Sequence, residues 1–578
     1  MKNEPLGVVL GSREATPLEF WIGVQNGLLR LDDVVWVESD HGGMKVRYYG
    51  MVDRVHKLLE GMQFDSDTYL AAENLIPTNT AYVAHVTVTR LEPEEYLPPD
   101  PGSPVYLARG AELDAALYYD RMQQRLPVGS MKNGESAFVN LAFLDGRQGG
   151  HVNISGISGV AAKTSYALFL LYSLYNSRVL QDAASAKTLI FNVKGQDLFY
   201  LDKPNAKLTD EDRERYRRLR LEPRPFASVA FYAPPRFGRG EGNLVADSTR
   251  GAGVTPYYWS VADFCREGLL PFVFTDRGSM SNLGFLIDNV TARLAALARG
   301  QSGPALLVED WSEAPPGGGP AGGFEGLGKA AIGSLEQLVD YVEYKLLGAE
   351  SEGEQAQGDT RWTARQHSGT LQAFVRRLRA AARSLHKIVR ADKKSSAPDP
   401  LAGDSQISVV DIHNLNAQAQ MFVVGALLQR VFRAKETGRQ RGRVFVVLDE
   451  LNKYAPREGE SPIKDILLDI AERGRSLGVI LIGAQQTASE VERRVVGNAA
   501  IRVVGRLDAA EAERPEYRYL PGAFRERALI MPQGTMILHQ PEVPVPVTVR
   551  FPYPAWATKR EEVAEDVSDE ALKDDLGI

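Results

Sequence analysis

Six short, almost unbroken apolar runs restrict this chain more than any other feature. They are HVNISG (strand from Val152 to Gly156), TLIFNV (Thr188–Val193), ISVVDI (Ile407–Ile412), RVFVVLD (Arg443–Asp449), GVILIGAQ (Gly478–Gln485) and AIRVVG (Ala500–Gly505). A strand with one solvated face alternates apolar and polar residues, whereas runs apolar at nearly every position are buried on both faces. Because helical stretches separate them, the expected fold class is α/β, with one nucleotide-binding sheet covered on both sides. Ahead of these runs, LGVVLG, PLEFWIG, DDVVWVES, MKVRYYG and TAYVAHVTVTRL are short, β-branched and broken by turn formers, which predicts a small N-terminal β-barrel.

The expected organisation is therefore a barrel over 1–110 and a first part of a RecA-like core over 111–204. A mainly helical insertion over 205–400, a second part of the core over 401–545 and an extension with an acidic tail over 546–578 follow. Two spacers, Ala314–Gly323 and the polar stretch around Glu352, flank pieces of the insertion. The segment Tyr118–Gly134 sits between barrel and core and reads either as a linker or as a coupling element.

At 578 residues with 44% apolar and 24% charged side chains, the chain is neither disordered nor fibrous. Its 67 basic against 74 acidic residues give a net charge of -7, so a nucleic-acid partner needs a local basic groove or channel. The single cysteine, Cys265, excludes an intrachain disulfide or a thiolate cluster and points to a reducing compartment. The longest apolar window, Tyr166–Tyr175, is too short to cross a bilayer, so the expected location is soluble and cytoplasmic, away from membranes.

The most informative local pattern is VNISGISGVAAKTSYALFLLYSLY, a strand, a glycine- and serine-rich turn and a helix opening on Lys163 and Thr164. Such a turn points backbone N–H groups at phosphate oxygens at the start of a helix. Candidate cradle residues are Gly156, Ser158, Gly159, Val160, Ala161, Ala162, Lys163, Thr164 and Ser165, with Lys163 reaching the β- and γ-phosphates and Thr164 ligating Mg²⁺. Ile157 and Ala162 stand where the usual phosphate-loop spacing has glycine, so the pattern alone also reads as an ordinary glycine turn with a surface lysine.

A second pattern, GRVFVVLDELNKYAP, puts Asp449 and Glu450 at the end of an apolar strand. There Asp449 suits the metal and Glu450 suits polarising an attacking water; the alternative is a loop cap. Gln485 ends the next strand, where an amide could align water or sense phosphate. Among Arg473, Arg475, Arg493, Arg494, Arg502 and Arg506, the candidates for stabilising transferring phosphate from a neighbouring protomer are Arg494 and Arg502, each of which also reads as a surface ion pair. His413, in DIHN, reads mainly as a hydrogen-bonding residue at the core edge.

With these residues in view, the chain resembles the HerA–FtsK superfamily of P-loop ATPases, and within it the HerA-type hexameric DNA translocases. The resemblance is carried by LGVVLGSREATPLEFWI, SGISGVAAKTSYA, VVDIHNLNAQAQMFVVGALLQRVF, VVLDELNKYAP and IAERGRSLGVILIGAQQTASEVERRVVGNAAIRVVGRL, leaving out the helical insertion and the tail. It implies Lys163 and Thr164 as the Walker A pair, Asp449 and Glu450 as the Walker B pair and Gln485 as the sensor-like glutamine. It also implies ATP and Mg²⁺ as cofactors, and a homohexamer around double-stranded DNA with the character of a helicase or translocase. A NurA-like nuclease partner in DNA-end processing and repair follows from the same resemblance. Two other readings stay open: a nucleotide-regulated scaffold for an antiviral effector protein, and a P-loop ATPase acting on RNA.

Overall fold

The computed structural model describes residues 4–60, 64–76, 79–157, 159, 163–195, 198–237, 244–250, 252–274, 281–309, 311, 330–348, 358–439 and 442–564. Ser158, Val160, Ala161 and Ala162, the spacer Ala314–Gly323, residues 352–357 of the polar stretch and the tail from 565 lie outside the described residues. Two structural units divide the chain: one of residues 1–181, 209–223 and 500–553, the other of residues 182–208, 224–499 and 554–578.

The first unit opens with six strands: β1 (Gly7–Val9), β2 (Glu19–Val24), β3 (Val34–His41), β4 (Met44–Leu59), β5 (Thr80–Glu92) and β6 (Pro104–Leu107). They close into a barrel in the order β1-β2-β5-β4-β3-β6 with antiparallel neighbours. Alternate side chains point inward, so Phe20, Ile22, Val35, Val37, Val46, Tyr48, Val52, Val86 and Val105 fill the interior. The long β4 bends where its register against β5 shifts between Tyr49 and Gly50. Glycine is required at that bend, since a Cβ on Gly50 would lie 2.4 Å from Val86 Cγ1 and 2.8 Å from the Thr87 carbonyl oxygen.

The same unit holds strands Arg125–Ser130, Ser136–Asn140, Val152–Ser155, Ile501–Val504, Thr535–His539 and Val547–Arg550. Val152–Ser155 runs parallel to Ile501–Val504, and the remaining pairings are antiparallel. The segment Tyr118–Gly134 is more ordered than a plain linker. Its second half contains a sheet strand, Arg125–Ser130, with Leu126 and Val128 fully buried, which Pro127 and Gly129 within so short a run concealed. Likewise Val547–Arg550, placed in the extension by the sequence reading, is a strand with Val549 fully buried. Asp32 and Arg527 join the barrel to the helix Gly522–Ala528 by a two-pronged pair, Nη1–Oδ1 at 2.6 Å and Nη2–Oδ2 at 2.5 Å.

The second unit is built on six parallel strands in the order Val254–Pro256, Val229–Ala233, Ile407–Asp411, Lys187–Asn192, Val444–Asp449 and Val479–Gln485. Two of these belong to the stretch read as mainly helical. They are three and five residues long and bounded by Pro234, Pro235 and Pro256; Val229–Ala233 reads VAFYA, apolar throughout, but a run this short beside prolines does not stand apart from the helical pattern around it. Helices do dominate the rest of that stretch. Leu335–Leu347 is capped by the Ser334 hydroxyl accepting from the Gln337 N–H and buries Leu335, Leu338, Val339, Val342 and Leu346 on one face. Ser368–Leu385 buries Leu371, Phe374, Val375, Leu378 and Leu385 at the same spacing.

The chain thus has an α/β RecA-like core, an N-terminal six-stranded β-barrel and helical insertions. No helix among the described residues is long and apolar enough to cross a membrane.

One buried charge provides a stability test. Lys435, in the last turn of helix Ala417–Glu436, is 6% exposed and donates to the Gly442 carbonyl. Burial, reinforced by nearby Arg443, pulls its pKa from 10.5 down to about 8. A lysine with a depressed folded pKa disfavours folding below that pKa, and its contribution to stability rises with pH between about 8 and 10.5. Lys435→Met is therefore expected to be more stable than wild type by about 1–2 kcal/mol at pH 7, with the gap closing by pH 10. Urea denaturation at the two pH values checks this; a gap that does not change with pH contradicts the assignment.

Candidate functional site

In the first unit, the strand Val152–Ser155 is wholly buried and runs directly into the glycine turn. Two backbone bonds extend its parallel pairing past the strand end, Gly505 N–H to the Ser155 carbonyl at 2.8 Å and Ile157 N–H to the Arg506 carbonyl at 2.8 Å. Both ends of the turn are thereby fixed: one by this ladder, the other by the helix Lys163–Asn176. That helix is apolar on nearly every side because it is buried on nearly every side. Tyr166 donates to the Val128 carbonyl and Ser173 to that of Pro127, while Phe169 and Tyr172 pack edge-on against Tyr216.

Gly159 takes φ +83°, a conformation suited to glycine, with no atom within 4 Å of a Cβ placed there. Lys163 is 3% exposed, and its ammonium curls back to donate to the Gly156 carbonyl at 2.6 Å. Thr164 and Ser165 are half-buried at the start of the helix Lys163–Asn176. This end of the unit therefore gathers a buried ammonium and the positive end of a helix dipole beside a glycine turn.

In the second unit, Asp411, Asn192, Asp449 and Gln485 occupy the carboxyl ends of four adjacent parallel strands. Asn192 lies opposite Asp411, and Asp449 opposite Ala484, so the four side chains share one edge of the sheet. Asp449 and Gln485 are buried, at 4% and 0% exposure. Consecutive strand residues ordinarily point to opposite faces. Glu450 departs from this because it adopts φ 57°, ψ 48°, a left-handed conformation that costs a non-glycine residue about 1 kcal/mol. Both carboxylates consequently reach one cation: Lys194 Nζ lies 2.9 Å from Asp449 Oδ2 and 3.1 Å from Glu450 Oε1. Burial lowers the pKa of Lys194, but the two carboxylates outweigh burial and the net shift is upward.

Sequence reasoning missed Lys194. The available signal was its place in VKG, directly after the apolar strand TLIFNV, at the edge where Asp449 was expected. The turn that carries it is pinned by Asn192, whose amide donates to the Gly195 carbonyl at 2.7 Å and to Asp411 Oδ1 at 3.0 Å. His413 completes this chain, with Nδ1 2.8 Å from Asp411 Oδ2, as expected of a hydrogen-bonding residue at the core edge. Burial raises the Asp411 pKa, against the lowering effect of His413 and Asn192.

The two arginine candidates lie in different units. Arg494 is exposed in the second unit and is paired with Glu472, its Nε 2.6 Å from Oε1. Arg502 is in the first unit, on the strand beside Asn153, with its guanidinium 5.0 Å from the centre of the Tyr519 ring. Tyr519 in turn packs on His539, with ring centres 5.2 Å apart.

No family model matches the chain, and no curated protein matches it. Solved structures similar to it include VirB4 of Thermoanaerobacter pseudethanolicus, at 16% identity and a TM-score of 0.43, covering 74% of this chain and 96% of that one. The plasmid coupling protein TrwB with a non-hydrolysable GTP analogue gives 12%, 0.46, 79% and 96%. The unbound monoclinic form of the conjugative coupling protein TrwBdeltaN70 gives 12%, 0.47, 80% and 95%. Likeness at this level carries no residue assignment.

The Arg502 cluster is testable. Burial, and secondly the Arg502 charge, hold the His539 pKa below its ordinary value. Arg502→Met is expected to move the His539 titration upward, read from its imidazole proton resonances by NMR, with His539→Gln identifying the signal. An unchanged midpoint removes Arg502 from contact with that ring.

Proposed function

We propose that this chain is an ATP-hydrolysing motor that moves double-stranded DNA through a ring of six copies, coupled to a nuclease of the NurA kind in DNA-end processing. The observation that carries the hydrolytic part is the Asp449–Glu450 pair at the end of a parallel strand, both carboxylates drawn onto one cation by the left-handed backbone of Glu450. The motor, ring and partner parts rest on the sequence resemblance.

In this reading Lys163, with the turn from Gly156 to Ser165, contacts the phosphates, and its bond to the Gly156 carbonyl is exchanged for phosphate oxygen. Glu450 accepts a proton from the attacking water, and Gln485 orients that water through its amide. Asp449 would hold magnesium, which when bound supplies neutralising charge to the phosphates, and the sequence resemblance gives Thr164 a metal-ligand role of its own. The donor chemistry fits such an ion, since Asp449 and Glu450 already hold an ammonium within 3.1 Å. Arg494, exposed and paired only by a surface carboxylate, is the better placed of the two arginines to leave its partner for a neighbouring copy's phosphates.

ATP hydrolysis measured with and without linear duplex DNA tests this reading. Lys163→Ala, Asp449→Asn and Glu450→Gln are each expected to reduce turnover by about 100-fold or more, with Glu450→Gln still binding nucleotide. Duplex DNA is expected to stimulate the wild type, and electron micrographs with an ATP analogue and DNA should show six-membered rings. Wild-type hydrolysis persisting in both Lys163→Ala and Glu450→Gln overturns the site; DNA-independent hydrolysis by a monomer overturns the motor.

A further inference from the structure

We propose that Lys194 is an internal counter-ion latch: its ammonium occupies the Asp449–Glu450 carboxylate pair until a divalent cation displaces it, so the lysine sets how readily that pair takes metal. The inference rests on the reading of Asp449 as a metal-holding carboxylate and adds a residue which that reading does not assign.

Charge makes the two cations rivals. The pair carries two negative charges and the ammonium one positive charge, with Nζ within 3.1 Å of an oxygen on each carboxylate. A divalent ion on the same oxygens would stand against the ammonium at close range, and like charges at that separation repel strongly where water is scarce. Asp449 is buried, so leaving it with no cation is also unfavourable. Metal and lysine therefore exchange places on the carboxylates.

Lys194 is built for that exchange. Its side chain is 45% exposed, against 5% for Asp449 and 23% for Glu450, so the ammonium can swing into water while the carboxylates stay. Its backbone is held, because Asn192 clamps the next carbonyl, that of Gly195, and is itself tied to Asp411. A fixed root and a solvent-facing tip let the same group leave and return. Release is movement of the charged ammonium off the carboxylates and into water, which its exposed tip allows. The other lysine near Glu450, Lys453, donates to Gln420 Oε1 instead. While latched, Glu450 holds the ammonium on the oxygen that would otherwise face water, which makes Lys194 a positioning residue for the resting state.

The test is Mn²⁺ binding to the full chain without nucleotide, followed by electron paramagnetic resonance, in wild type, Lys194→Met, Lys194→Arg and Asp449→Asn. Lys194→Met is expected to bind Mn²⁺ about tenfold more tightly than wild type. Lys194→Arg, which keeps the charge, should stay close to wild type. Thermal melting separates a folding defect from the latch: Lys194→Met should melt lower than wild type without metal and gain more on adding Mg²⁺. Equal Mn²⁺ affinity in wild type and Lys194→Met, with binding lost in Asp449→Asn, overturns the latch and leaves the metal assignment standing. Mn²⁺ binding that survives Asp449→Asn unchanged overturns the metal assignment, and the latch with it.

Discussion

A carboxylate buried at the end of a parallel strand cannot stand alone, and much of the second unit is arranged around that requirement. Asp449 needs a cation because desolvation penalises its charge, and Lys194 supplies one from the neighbouring strand. Lys194 stands there because Asn192 fixes the turn, and Asn192 is oriented by Asp411, which His413 holds in turn. Three strand ends are linked through polar side chains, a continuity that parallel pairing makes possible by bringing every carboxyl end to one edge. The left-handed backbone at Glu450 adds a second negative charge to the same cation.

The first unit shows a related economy of polar groups. Its glycine turn is closed by a lysine that bonds to the carbonyl at the start of that turn, so a buried ammonium has a partner and a strand-end carbonyl is satisfied by one contact. The helix carrying the lysine is held by apolar packing on nearly every side and by two hydroxyl-to-carbonyl bonds to the strand Arg125–Ser130.

Legibility in the sequence followed how far burial dictated residue type. The six apolar runs could be read because both faces of each strand are covered, which leaves no polar positions to blur the pattern. The barrel could be read from its short alternating runs. Val229–Ala233 and Val254–Pro256 could not, since Val254–Pro256 is a three-residue, partly exposed edge strand and Val229–Ala233, though apolar, is only five residues long beside Pro234 and Pro235. Val547–Arg550 was hidden in the same way by the prolines around it. At the candidate site, Asp449, Glu450 and Lys163 stood out by their place after strands and at a helix start. Lys194 did not, because its importance lies in a contact with residues distant along the chain, which only the register of parallel strands creates. Arg494 and Arg502 looked alike in one dimension, and their different partners, Glu472 and the Tyr519 ring, are what separate them.

The pair between Asp32 and Arg527 ties the barrel to a helix that follows it by almost the whole length of the chain. Two parallel bonds resist twisting as well as pulling, because rotating one group against the other breaks both at once. The barrel is therefore geared to the carboxyl-terminal part of its own unit. The fork fixes the orientation of Gly522–Ala528 to the turn before β3, where a single contact would leave the helix free to pivot.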